Sequence, residues 1–199
     1  HFEPGAALEL IEKERATLLY PAYPTLTGPM LAHPNYRPDT FRRARALLTV
    51  GPPDVLRSYQ EQLPYTTHIS CYGSTEAGGV AVMGRLDDPL EERLTSGKPF
   101  AGVEIQVRHP ETDALQPPGE PGVLYMRGYN LFLGYHNDPE KTAESFDADG
   151  WFCTGDLASI DEKGNLTFRG RVKDMLKGGG ENVGCVEVEG YLQTHPDIV

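Results

Sequence analysis

The sequence predicts an α/β fold whose first part alternates helix with strand and whose second part is rich in β-strands. Up to about residue 83, stretches with helical spacing of apolar residues alternate with short apolar runs typical of buried strands. From about residue 84 to 170 the pattern changes to strand, turn and strand. The chain of 199 residues is long enough for one large domain, or for one domain and a smaller piece.

The first part is expected to form one layered unit. Its alternation of helix and strand indicates an α/β layer whose strand ends converge on one edge. Pro4 suits the first turn of a helix, and prolines interrupt the second helical stretch. The predicted helices are Pro4–Leu18, Pro21–His33 and Pro53–Leu63, and the predicted strands are Thr17–Tyr20, Ala44–Val50 and Thr67–Tyr72.

The second part is expected to be a small β-rich subdomain. Val103, Ile105 and Val107 alternate with polar residues, which is the period of a strand. The stretch 116–122 is rich in Pro and Gly and predicts a turn before a return strand. The further elements are a strand at Val123–Arg127, a helix at Pro139–Phe146, a hairpin of Leu157–Ile160 with Leu166–Arg169, and a helix beginning near Cys185.

Composition excludes some functions and leaves others open. A formal net charge of −11 argues against non-specific nucleic-acid binding, which needs a basic face, but not against a nucleotide ligand. No apolar run approaches the roughly 20 residues of a membrane-spanning helix. Three widely spaced cysteines suggest neither a disulfide framework nor a zinc site, and a cytoplasmic location is expected. Both ends of the chain are expected to be cuts through a longer protein.

The first candidate motif, Tyr72–Gly79, directly follows a predicted strand. Its glycines allow close approach of the backbone to a ligand. Hydroxyls of Ser74 and Thr75 suit phosphate oxygens, and the carboxylate of Glu76 suits Mg²⁺, which prefers oxygen ligands. Tyr72 offers a flat face to a purine. A polar turn that caps a strand explains the same residues equally well.

Three further motifs are weaker when each is taken alone. Asp156 follows a Thr-Gly turn and could accept hydrogen bonds from ribose hydroxyls, or could be a solvated turn residue. Arg171 could donate to ribose or phosphate oxygens, although a surface charge cluster is the simpler explanation. The run Gly178–Gly180 could approach a phosphate-bearing ligand or serve as a flexible linker.

Taken together, in this order and spacing, the motifs resemble the adenylate-forming superfamily of acyl-CoA synthetases, nonribosomal-peptide adenylation domains and beetle luciferases. The resemblance covers nearly the whole chain and its motifs are highly specific in combination. The stretch 117–122 and Gly134-Tyr135 are also similar to the family. The main matching stretches are Tyr72–Glu76, Gly150–Asp156, Gly170–Asp174 and Gly179–Val183.

The resemblance implies a role for each matched residue. Tyr72 is expected to contact adenine, Thr75 the α-phosphate, and Glu76 a Mg²⁺ ion, so that Thr75 and Glu76 serve catalysis. Asp156 is expected to hold the ribose hydroxyls with support from Arg171. Gly51, Cys71, Gly73 and Ser74 are expected to line the nucleotide site. Lys173 matches the hinge of the C-terminal lid, and Gly178, Gly179 and Gly180 match a lid loop that faces the CoA thiol.

The resemblance also implies a domain plan and an activity. Residues 1–83 would belong to the large N-terminal α/β domain, 84–171 to a barrel-like β-rich subdomain, and 172–199 to the start of the lid. The stretch 173–183 is similar to the acyl-CoA synthetase branch, which implies a small carboxylic acid, ATP, Mg²⁺ and CoA as partners and a place in fatty acid metabolism. An adenylation domain that loads a carrier protein, or a non-catalytic nucleotide-binding remnant, stays open.

The resemblance further implies that two parts of a complete enzyme are missing. The family's phosphate loop, rich in Ser, Thr and Gly, would precede the matched region, and the catalytic lysine of the lid would follow it. The 199 residues alone are therefore expected not to form an adenylate.

Overall fold

The computed structural model describes residues 1–178 and 181–184, together with Val188 and Leu192. Two compact units are present: unit 1 comprises His1–Cys71 and Gly84–Ser96, and unit 2 comprises Tyr72–Met83 and the residues from Gly97 onward. The described residues contain four β-sheets. The predicted α/β class is confirmed.

Unit 1 is built on a parallel sheet of three strands, in the order β1 (Leu18–Ala22), β2 (Ala46–Thr49) and β3 (Thr67–Ile69). Every residue of β2 is buried, as expected for the central strand of a parallel sheet. In register, Leu47 of β2 lies opposite Leu19 of β1 and His68 of β3. The helices of this unit are α1 (Pro4–Glu14), α2 (Pro24–Leu31), α3 (Pro53–Gln62) and α4 (Leu90–Arg93), with a short 3-10 helix at Pro38–Phe41.

The ends of helix α1 follow from local chemistry. The Glu3 side chain accepts hydrogen bonds from the N–H groups of Gly5 and Ala6, which caps the first turn. The helix ends at Glu14, earlier than the predicted Leu18, because Arg15 adopts a left-handed conformation with φ of 54°. The apolar side of α1 packs into the unit 1 core with Leu8 3% exposed.

Unit 2 is rich in short strands. They are β4 (Cys71–Ser74), β5 (Gly79–Met83), β6 (Lys98–Pro99), β7 (Val103–Arg108), β8 (Gly122–Gly128), β9 (Phe152–Ile160), β10 (Leu166–Arg171), β11 (Met175–Gly178) and β12 (Glu181–Gly184). Four of them form an antiparallel sheet in the order β10-β9-β8-β7. A second sheet has the order β4-β5-β6, and β11 and β12 form a hairpin. Helix α5 (Pro139–Ser145) and a 3-10 helix at Val172–Asp174 also lie in this part of the chain.

The core of unit 2 explains why these strands form. Alternate residues of β7 and β8 point inward, so that Val103, Val107, Leu124 and Met126 are all buried. The β10 residue Leu166 joins the same apolar cluster and is fully buried. Within the described residues the four strands form an open sheet and not a closed barrel, since β7 and β10 occupy its two edges.

Besides the early end of α1, one predicted strand differs from the structure. The single predicted strand Thr67–Tyr72 is two strands interrupted at Ser70, because Thr67–Ile69 pairs with β2 whereas Cys71–Ser74 belongs to the sheet with β5. The helix expected near Cys185 falls largely outside the described residues.

None of the helices described here is long and apolar enough to cross a membrane. The division at residues 83 and 171 stays a prediction.

Candidate functional site

Asp156 is the most deeply buried acidic side chain among the described residues, with 6% of the residue exposed. It lies in β9, opposite Arg171 of β10 in the antiparallel register. The hydroxyl of Thr154 accepts a hydrogen bond of 3.1 Å from the Asp156 N–H. Gly155 between them has φ of 72°, a left-handed conformation that favours glycine. The Thr-Gly-Asp sequence thus forms a local bend that fixes the Asp156 carboxylate.

The hydroxyl of Tyr72 donates a hydrogen bond of 2.6 Å to Oδ2 of Asp156. Tyr72 is 7% exposed, and its ring stacks on Phe168 with centroids 6.0 Å apart. The short bond is typical of a hydroxyl donating to a charged carboxylate. Burial and the neighbouring Asp156 charge raise the pKa of the Tyr72 phenol well above its usual value, so Tyr72 remains a proton donor at neutral pH. Tyr72 therefore orients one oxygen of Asp156.

The other oxygen of Asp156 faces Arg171. The Arg171 Nε lies 3.4 Å from Oδ1, and its side chain is 68% exposed. Burial raises the pKa of the Asp156 carboxyl above its ordinary value, and this effect outweighs the opposing influence of Tyr72 and Arg171. Asp156 is thus a carboxylate with one oxygen that accepts the Tyr72 hydrogen bond and one oxygen beside an exposed guanidinium. Such a group can accept hydrogen bonds from hydroxyls of a ligand.

A tight turn from Ser74 to Gly78 connects β4 with β5. The N–H groups of Ala77 and Gly78 donate to the carbonyls of Ser74 and Thr75, at 3.2 and 3.1 Å. Gly73 packs directly on the facing strand, since a Cβ added there would lie 1.8 Å from the carbonyl oxygen of Gly79. A glycine is therefore required at position 73 for the two strands to approach. Thr75 at the turn is exposed.

Glu76 projects from this turn with its carboxylate partly exposed. The Tyr135 hydroxyl donates to Oε1 of Glu76 at 3.1 Å. Partial burial acts to raise the pKa of Glu76, but hydrogen bonds from its own backbone, Tyr135 and Ser74, with the charge of Arg171, leave that pKa lowered. The charges of Glu76 and Asp156 are close enough to influence each other. Unit 2 thus brings Tyr72, Glu76, Asp156 and Arg171 into one neighbourhood.

Comparison with known proteins identifies the family. The sequence profile described as "AMP-binding enzyme" matches residues 1–136, which is more than half of the chain. The chain belongs to the AMP-binding enzyme family.

Relatives of this chain are similar to it over almost all of its length. It is 39% identical to a medium-chain fatty-acid–CoA ligase of Escherichia coli over 99% of the chain and 35% of that enzyme. It is 35% identical to the mitochondrial medium-chain acyl-CoA ligase ACSF2 of Bos taurus, over 99% of the chain and 32% of that enzyme. The crystal structure of ATP-bound MatB from Rhodopseudomonas palustris has a TM-score of 0.85 and 32% identity, covering all of this chain and 39% of MatB. The chain thus spans about a third of the length of the relatives it matches.

Glu76 is the side chain whose fit to a metal ion can be examined in the part of the chain that the structure describes. Among the residues that the structure describes, no group of three or more His, Cys, Asp or Glu side chains could hold a metal alone. Mg²⁺ commonly binds proteins through one or two carboxylates and takes its other ligands from water and substrate phosphates. The partly exposed, anionic Glu76 fits that kind of site.

Four other residues expected at the site lie among the residues that the structure describes. Gly51 is exposed and follows β2 of unit 1, and Cys71 is a buried free cysteine at the end of the unit 1 residues. Lys173 is exposed in the 3-10 helix after β10, and Gly178 ends β11. Gly179 and Gly180 lie outside the described residues. Their roles stay predictions.

Sequence reasoning assigned no role to the residues that hold the Glu76 turn. Gly134-Tyr135 was noted only as similar to the family, and Asn130 and Phe132 were not singled out. Yet Phe132 donates its N–H to the carbonyl of Glu76 at 2.8 Å, and Asn130 Nδ2 donates to the carbonyl of Ala77 at 3.0 Å. These partners are more than 50 residues apart in sequence, so no local pattern connects them.

Proposed function

We propose that this chain forms part of an ATP-dependent acyl-CoA ligase that activates a carboxylic acid as an acyl-adenylate. A carboxylate oxygen of the acid attacks the α-phosphorus of ATP, and pyrophosphate leaves. The thiol of CoA then attacks the acyl carbonyl, forming the thioester and releasing AMP. The observation that carries the proposal is the buried Asp156, held by Tyr72 and Arg171 in the same unit as Glu76. The names of its relatives support a ligase of this type.

The adenosine half of the nucleotide is assigned to Asp156 and its neighbours. Asp156 would accept hydrogen bonds from the ribose hydroxyls, because its Oδ1 lies 3.4 Å from an Arg171 side chain that is itself largely exposed. Burial makes this carboxylate a strong and oriented acceptor. Tyr72 would contact adenine with its ring edge or face while its hydroxyl holds Asp156. Gly51, Cys71, Gly73 and Ser74 are proposed to line the rest of the nucleotide site.

The phosphate half is assigned to the turn after β4. Thr75 is exposed at the turn and would donate its hydroxyl to the α-phosphate. Glu76 would hold Mg²⁺, which when bound would offset the negative charge of the phosphates. The work of these side chains is to position the reactants and to stabilise charge, so no nucleophilic side chain of the protein is needed.

The CoA half of the reaction is assigned to the residues after Arg171. Lys173 is proposed as the hinge about which the lid turns between the two half-reactions. Residues 178–180 are proposed to form the lid loop that faces the CoA thiol. The three-part division at residues 83 and 171 is part of the same proposal, as is a cytoplasmic location. One named relative is mitochondrial.

Medium-chain fatty acids are the first substrate class to test. Two of the similar enzymes carry that class in their names, and both match 99% of this chain. Because this chain spans about a third of those enzymes, the remaining walls of an acyl pocket would come from regions outside it. We therefore expect the 199 residues alone to show no acid-dependent exchange of pyrophosphate into ATP. Detectable exchange by the isolated chain would reject that expectation.

The experiment that tests the function uses the enzyme that contains this chain. AMP release is measured with ATP, Mg²⁺, CoA and a panel of saturated acids of increasing length. The proposal predicts AMP release that requires both an acid and CoA, with an optimum among medium chains. AMP release that proceeds with an acid and a carrier protein but not with CoA would favour a carrier-loading adenylation domain. Absence of AMP release with every acid would reject the ligase.

A further inference from the structure

A short segment of unit 2 holds the turn that carries Glu76. Asn130 Nδ2 donates to the Ala77 carbonyl at 3.0 Å, and the Phe132 N–H donates to the Glu76 carbonyl at 2.8 Å. The Tyr135 hydroxyl donates to Oε1 of Glu76 at 3.1 Å. The first two bonds fix the backbone of the turn, whereas the third acts on the carboxylate itself.

The Tyr135 side chain is in turn fixed from several sides. The backbone N–H of Tyr135 donates to the Thr142 hydroxyl of α5 at 2.9 Å, and Lys141 Nζ lies 4.1 Å from the centroid of the Tyr135 ring. Phe132 meets the ring edge to face, with centroids 4.8 Å apart. A Cβ at Gly134 would come within 2.8 Å of Thr142, so the chain at that point packs closely on α5. The phenol is therefore placed before any ligand arrives.

A fixed donor at one oxygen restricts the carboxylate. An unrestrained glutamate samples several rotamers, and holding it for a ligand costs side-chain entropy on binding. The Tyr135 bond restrains the Glu76 side chain before binding, so less of that entropy is lost when Glu76 binds a cation. Preorganisation of a ligating group by a neighbouring hydrogen bond commonly changes metal affinity by tenfold or more, roughly 10–100-fold.

We propose that Tyr135 is a positioning residue for Glu76, which it orients toward the metal–phosphate part of the nucleotide. This inference rests on the proposed function, in which Glu76 binds Mg²⁺. It predicts a selective effect: loss of the Tyr135 hydroxyl weakens the binding of metal with ATP but leaves the adenosine half of the site intact. Asp156 and Tyr72, which serve that half, make no hydrogen bond to Tyr135 among those that the structure describes.

The test compares Tyr135→Phe with Tyr129→Phe in the enzyme that contains this chain. Tyr129 is a matched control because it lies six residues away in the same unit and is 77% exposed. Binding of Mn²⁺ in the presence of α,β-methylene ATP is measured by electron paramagnetic resonance. Binding of AMP without metal is measured by calorimetry. The Mg²⁺ dependence of AMP release is recorded for all three proteins.

Tyr135→Phe is expected to weaken Mn²⁺ binding about tenfold and to raise the Mg²⁺ concentration needed for half-maximal AMP release by a similar factor. Its affinity for AMP should equal that of the wild type, and Tyr129→Phe should match the wild type throughout. Unchanged Mn²⁺ binding in Tyr135→Phe would overturn the inference. A parallel loss of AMP binding would also overturn it, since Tyr135 would then be purely structural. A wild-type enzyme without acid-dependent AMP release would instead reject the proposed function.

Discussion

Removing the hydroxyl of Tyr72 should weaken both the fold of unit 2 and its proposed nucleotide site. Tyr72→Phe keeps the ring that stacks on Phe168 but deletes the 2.6 Å hydrogen bond to Asp156. Hydrogen bonds to charged groups contribute about 1.5–3 kcal/mol, and a buried carboxylate that loses its donor bears this cost. Arg171 cannot replace the donor, since an exposed ion pair contributes about 0–1 kcal/mol. We therefore expect the free energy of unfolding to fall by about 1.5–3 kcal/mol.

The pH dependence of this loss has a definite sign. Burial raises the pKa of Asp156 above its ordinary value, so the folded protein binds that proton more tightly than the unfolded chain. Stability attributable to Asp156 is therefore greatest below its unfolded pKa of about 3.9 and falls as the pH rises through the raised pKa. The Tyr72 hydrogen bond favours the ionised carboxyl, so Tyr72→Phe raises the pKa of Asp156 further. The substitution should cost more at pH 7 than at about pH 4.

The assay is denaturant unfolding of the enzyme at both pH values, followed by calorimetric titration with AMP. Tyr129→Phe is again the control and should change stability by less than about 0.5 kcal/mol. Tyr72→Phe should also weaken AMP binding, because Asp156 loses the group that orients it. Wild-type stability of Tyr72→Phe at pH 7, or an equal cost at both pH values, would refute this reasoning.

Two other substitutions test the packing of each unit. In unit 1, burial lowers the pKa of His68 to about 4, and the charge of Arg93 adds to this effect. The stability that neutral His68 contributes is therefore complete above about pH 6.5 and declines as the pH falls toward 4. His68→Leu should flatten this decline in urea unfolding, and an unchanged pH profile would contradict the assignment. In unit 2, Gly73→Ala places a Cβ 1.8 Å from the Gly79 carbonyl oxygen and should cost about 3 kcal/mol or more in thermal unfolding. Gly84→Ala is the control, because neither Gly84 nor Gly73 has a left-handed φ and a Cβ at Gly84 would meet its nearest neighbour at an ordinary 3.6 Å. It should cost less than about 1 kcal/mol. Equal losses for the two variants would show that close strand packing does not require Gly73.

Local patterns in the sequence predicted most of the elements of the fold. The alternation Val103, Ile105, Val107 identified β7 because successive side chains of a strand point to opposite faces. The boundary errors have local causes that periodicity does not register. The left-handed Arg15 ends α1 early, and the change of sheet at Ser70 divides one apolar run into two strands.

The site was predictable from the sequence only in part. The hairpin of β9 and β10 could be predicted from its turn, and its register places Arg171 opposite Asp156. The bond between Tyr72 and Asp156 spans 84 residues, so it could not follow from spacing, and it was the resemblance to a family that brought the two motifs together. Tyr135 could not be assigned at all, because its partner Glu76 is 59 residues away and its position depends on the packing of α5.

In the proposed function, this chain supplies the adenosine-binding side of an acid-activating site. The decisive measurement is acid-dependent exchange of labelled pyrophosphate into ATP, on the enzyme that contains the chain and on its Asp156→Asn variant. Asp149→Asn, an exposed aspartate before the same strand, is the control. We expect exchange that requires a carboxylic acid and that falls at least about tenfold in Asp156→Asn but not in Asp149→Asn. Exchange that needs no acid, or that is as fast in Asp156→Asn as in the wild type, would contradict this expectation.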